Sequence, residues 1–92
     1  MILKHYITKE CYVTARDLLG LLLFKTPVYI TDEGDRVGLS GRVNEVEVME
    51  DDRLDMPVDF IAPNLVDIYN DKFYDSVPGF LIVVKEIPNE LD

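Results

Sequence analysis

The stretch that most constrains the fold is Phe80–Val84, FLIVV, five apolar residues with no polar residue between them. A strand with one face in water alternates apolar and polar side chains. An unbroken β-branched and aromatic run suits an interior strand buried on both faces. The rest of the chain must therefore supply neighbouring strands and a layer to cover them. With 92 residues, 48% of them hydrophobic, there is material for one such core and one domain, spanning 1–92.

Turn chemistry punctuates the remainder. Thr8 is placed to cap a helix over about 9–24, in which Cys11, Ala15, Leu18 and Leu22 recur at helical spacing, and Pro27 ends it. Val28–Thr31 reads as a strand, Asp32-Glu33-Gly34-Asp35 as a turn, and Val37–Glu50 as a returning strand bent at Gly38 and Gly41. Val58–Ile61 reads as a short strand. Asn64 and Asp67 form a variant capping box opening a helix over 64–75, halted by Ser76-Val77-Pro78-Gly79. Lys85–Asp92 is expected to be an exposed tail. The order α-β-β-(β)-α-β predicts an α+β fold: a small, mainly antiparallel sheet with two helices packed on one side.

Charge is the second constraint. Thirteen of the eighteen acidic residues lie between positions 32 and 75, against four basic ones, so that segment carries the whole net charge of −9. Such a surface repels nucleic acid and anionic membranes and attracts basic proteins. Along the expected strand, Glu45 and Glu47 would share the outer face, running into Glu50, Asp51, Asp52 and Asp55. On the expected helix, Asp67, Asp71 and Asp75 step by four and would form a row about 12 Å long, opposite Leu65, Val66, Tyr69 and Phe73. Solubility alone would account for such a face. Read as contact surface, these nine acids form an array suited to a partner that otherwise binds phosphates, with Tyr69, Phe73 and Tyr74 as adjacent anchors.

Catalytic and metal motifs are weak. Asp51-Asp52-Arg53-Leu54-Asp55 has D-D-x-x-D spacing, but follows a strand in a chain too short to enclose a prenyl diphosphate. The 32–35 turn lacks the calcium-loop pattern. His5 is the sole histidine and Cys11 the sole cysteine, with no reason to meet, and one cysteine permits no internal disulfide. We expect no enzyme activity, cofactor or metal. The longest apolar run, Leu18–Phe24, falls well short of the roughly 20 residues a membrane helix needs, and the first residues do not read as a signal peptide. The expectation is a cytoplasmic protein, in the host cytoplasm if phage-encoded.

One resemblance rests on specific residues. "ARDLLGLLL" (15–23), followed by "GRVNEVEV" (41–48) and "EDD" (50–52), resembles the opening half of the alkyladenine DNA glycosylases. There a leucine-rich helix leads through a hairpin to a G-R-I-x-E-x-E-A-Y strand. The resemblance implies that Glu47 corresponds to the water-activating glutamate. It departs at Met49, where the family has its stacking tyrosine, and in having no later histidine, no second half and no basic surface. By kind rather than motif, the chain also looks like phage inhibitors of host defence, DNA mimics and nuclease immunity proteins. The leading expectation is a small acidic module that occludes a basic, nucleic-acid-handling protein and does not itself bind nucleic acid. The alternative is a structural or regulatory subunit that docks, or forms a homodimer, through an apolar sheet edge. A degenerate glycosylase relative is the remote one.

Overall fold

The computed structural model describes residues 13–32, 37–70 and 72–86. In chain order these form α1 (Ala15–Leu19), β1 (Pro27–Thr31), β2 (Leu39–Arg42), α2 (Val43–Val46), a 3-10 turn at Asp52–Asp55, β3 (Val58–Asn70) and β4 (Phe73–Val84). The four strands make one sheet in the order β2-β1-β4-β3. β1 and β2 are antiparallel, as are β3 and β4, while β1 runs parallel to β4. This is the expected α+β class with a mainly antiparallel sheet.

Phe80–Val84 is the interior strand its composition implied. Positions 80–83 pair with β1 on one side and β3 on the other, and Ile82, Val83 and Val84 are buried. Val28 and Ile30 of β1 lie on the same face as Ile82 and Val84. Ala15 and Leu19 of α1, Val43 and Val46 of α2, and Leu54 of the 3-10 turn cover that face as one cluster. Both helices therefore do sit on one side of the sheet, although the second is not the segment expected. Thr14 caps α1, its Oγ accepting from Asp17 N–H while Asp17 Oδ2 accepts from Thr14 N–H. The proposed cap Thr8, along with His5, Cys11 and Asp71, lies outside the described residues.

Three local expectations are corrected. The helix over 9–24 is, among the described residues, the single stretch 15–19, after which Gly20 ends it and Leu21 and Leu23 are exposed. The strand expected over 37–50 stops at Arg42. Gly41 has φ +153°, which side-chain-bearing residues rarely adopt, and it bends the chain there. The N–H groups of Val43 and Asn44 then donate to the carbonyls of Thr26 and Phe24, and Arg42 N–H donates to Glu45 Oε1, starting α2 in place of further strand.

The largest correction concerns residues 64–75. The described residues of this segment are not a helix but the outer part of a long β3–β4 hairpin, with Asp67 opposite Ser76, Ile68 opposite Asp75 and Tyr69 opposite Tyr74. β1 reaches only positions 80–83 of β4, so 64–70 and 73–79 project beyond it as a two-stranded arm about 20 Å long at ~3.3 Å per residue. An isolated ribbon is marginal in water. Here the sheet curls until its far edge, β2, comes alongside β3, and Val66 is buried at the base of the arm.

Gly79 marks where the arm leaves the sheet. A Cβ there would lie 2.3 Å from the Pro27 carbonyl oxygen, a backbone atom that cannot swing aside. Gly79→Ala is expected to cost about 1–3 kcal/mol, the usual range for overpacking. Urea denaturation would register this as a lower midpoint at unchanged slope.

Candidate functional site: a carboxylate and tyrosine cleft

The nine acidic residues singled out from the sequence do not form one array. Asp67 and Asp75 occupy adjacent registers of the hairpin and so point to opposite faces of it. The expected row of three therefore does not exist, and its middle member, Asp71, is outside the described residues.

Two others are committed to arginines. Arg53 is buried, and its Nε and second terminal nitrogen donate to the two oxygens of Asp51 at 2.9 Å each. Its backbone N–H donates to the same carboxylate, and its remaining terminal nitrogen donates to the Val37 carbonyl at 2.7 Å. The guanidinium hydrogen bonds, with help from the backbone N–H, hold the Asp51 carboxyl far below the ordinary carboxylate range. Partial burial pushes the other way and is outweighed. Asp51 and Arg53 thus tie the 3-10 turn to the segment entering β2. The D-D-x-x-D spacing is structural here, and no cluster of ligating side chains suited to a metal occurs among the described residues. Asp55 pairs with Arg16 Nε at 3.1 Å. With both side chains largely exposed, the pair is worth at most about 1 kcal/mol.

Glu45, Glu47, Glu50 and Asp52 remain exposed along the segment from α2 to the 3-10 turn. Glu47 stands at the C-terminal end of α2, and its carbonyl accepts from Arg16. It does not line the cleft that its neighbour Glu45 enters.

That cleft, of about 220 Å³, lies between the arm and the β2–α2 corner, lined by Ser40, Gly41, Glu45, Met49, Asp67, Ile68, Tyr69 and Tyr74. Asp67, Tyr69, Tyr74 and Ser76 share one face of the hairpin, because cross-strand partners project to the same side. The Tyr69 and Tyr74 rings pack 5.2 Å apart, tilted by 56°. Asp67 Oδ1 accepts from Ser76 Oγ at 2.6 Å, which fixes the carboxylate. Glu45 is fixed likewise by its bond to Arg42 N–H. Two carboxylates on different elements are thereby held beside an aromatic pair, an arrangement suited to a cation.

Sequence reasoning grouped Glu45 and Asp67 in one acidic array with Tyr69 and Tyr74 as adjacent anchors, but on an expected strand and an expected helix, whereas Glu45 stands on α2 and the other three on the hairpin. It missed Ser40 and Ser76, for which no sequence signal exists, and gave Met49 no role in a site. Comparison with protein-family models, curated proteins and solved structures finds no match for this chain. No helix among the described residues is long and apolar enough to cross a membrane.

Proposed function

We propose that this is a non-catalytic binding module for a basic protein, acting as an inhibitor that occludes the phosphate-binding surface of a nucleic-acid-handling partner. The observation that carries the reading is an exposed segment bearing Glu45, Glu47 and Glu50, of which Glu45 meets a projecting arm across the cleft. That arm adds Asp67 and bears exposed Leu65, Tyr69, Phe73 and Tyr74. Carboxylates steer a basic partner, and aromatic side chains supply the desolvated contacts that hold it. DNA mimicry is retained only in this looser sense, as competition for a basic surface without a regular row of charges.

The second reading, a subunit docking through an apolar sheet edge, has support in β3 being an outer strand of 13 residues with Phe60, Ile61 and Leu65 exposed. Against it, Pro63 removes a donor midway along the strand, and Asp59 and Asp67 place charge on it. All three discourage strand addition.

The test is association with a panel of basic nucleases and DNA-binding proteins, with DNA as competitor. For a partner that binds, affinity is expected to fall at least tenfold between roughly 50 and 200 mM salt. The charge reversals Glu47→Lys and Glu50→Lys should slow association more than they speed dissociation. Affinity that ignores both salt and these reversals would favour the sheet-edge reading.

A further inference from the structure

We infer that the cleft between the arm and the β2–α2 corner receives the guanidinium of an arginine side chain from the basic partner. This inference rests on the proposed function and names the group recognised. Each wall of the cleft contributes one carboxylate, Glu45 from α2 and Asp67 from β3. Each carboxylate has one oxygen already accepting an internal hydrogen bond, Glu45 Oε1 from Arg42 N–H and Asp67 Oδ1 from Ser76. That leaves Glu45 Oε2 and Asp67 Oδ2 as acceptors for an incoming donor.

A planar, forked cation carrying five N–H donors can meet two separated carboxylates while its face lies against an aromatic ring. Tyr74, which is 68% exposed, offers such a face in the lining of the cleft, with Tyr69 packed beside it. Ammonium is a more strongly hydrated point charge and matches two carboxylates on different elements less well. Met49 adds a polarizable wall that adapts to the aliphatic stem.

The probes are three capped tripeptides, acetyl-Gly-X-Gly-amide, where X is arginine, lysine or citrulline, with octa-arginine as a fourth. The readout is the ring proton signals of Tyr69 and Tyr74 in NMR titrations of the full chain. The arginine peptide is expected to bind in the millimolar range, shift both rings, and outcompete the lysine peptide. Citrulline, of nearly the same shape but uncharged, is expected to leave both rings unmoved.

Tyr74→Ala should weaken the arginine peptide about 2–5-fold, and Tyr74→Phe should preserve binding. Asp67→Asn and Glu45→Gln keep the oxygen that accepts the internal bond and should each weaken binding about 2–5-fold. Equal responses to arginine and citrulline, or to arginine and lysine, would overturn the assignment. Octa-arginine that binds in a salt-dependent way without moving either ring would also overturn it, while leaving the acidic-module reading standing. Octa-arginine that does not bind at low salt would remove both.

Discussion

Arg53→Ala is expected to destabilise the protein by about 3–5 kcal/mol, the cost of breaking a buried ion pair from one side. A domain of this size holds only about 5–15 kcal/mol in total, so the variant should be partly unfolded near physiological temperature. The physical reason is the geometry around Arg53. Its guanidinium is the donor for both Asp51 oxygens and for the Val37 carbonyl, three bonds that no alanine replaces. Chemical denaturation followed by far-UV circular dichroism would measure the loss. A change below about 1 kcal/mol would mean that water satisfies these groups.

The same pair sets an acid limit. The folded-state pKa of Asp51 is depressed, so its contribution is fully present above the unfolded carboxylate value near 3.8 and is lost as pH falls below it. The native protein should therefore lose stability more steeply below about pH 4 than Asp51→Asn, which has no proton to take up. Parallel acid limbs for the two would contradict this.

Ile82→Ala is the second large effect, expected at about 2–5 kcal/mol. Ile82 is fully buried on the interior strand, pairing in register with Ile30 of β1 and Ile61 of β3. Its side chain lies on the face covered by α1, α2 and Leu54, so truncation opens a cavity that elements from both ends of the sequence would have to close. Truncating Leu21, which is 80% exposed, should by contrast change stability by no more than about 0.5 kcal/mol. If Ile82→Ala were as mild as Leu21→Ala, the central place given to β4 would be wrong. The pair is best compared by thermal and urea unfolding under identical conditions.

The unequal success of sequence reading follows from the range of the interactions. Where one short stretch carried its own constraint, the sequence was sufficient. The unbroken run Phe80–Val84 marked an interior strand, and Gly41 marked a bend. The acidic bias of the middle segment is likewise a property of composition. Residues 64–75 carried conflicting local signals. Leu65, Val66, Tyr69 and Phe73 fit one side of a helix, and Asn64 resembled a cap. Yet the like-charged aspartates worked against a helix, and the β-branched and aromatic residues suited a strand.

The conflict was decided at a distance. β4 is anchored by its parallel pairing with β1, about fifty residues earlier in the chain, and an anchored β4 offers a full ladder of backbone partners to residues 58–70. Those cooperative bonds exceed the few tenths of a kcal/mol by which local spacing favours a helix. Taking 64–75 out of a helix sent Asp67 and Asp75 to opposite faces. The curl of the sheet then brought Asp67 and two tyrosines up to Glu45. The sequence by itself determined the α+β class, the interior strand and the sign of the charge. Only the tertiary structure decided which acids pair with arginines and which line a common cleft, because those depend on contacts between residues that local periodicity does not relate.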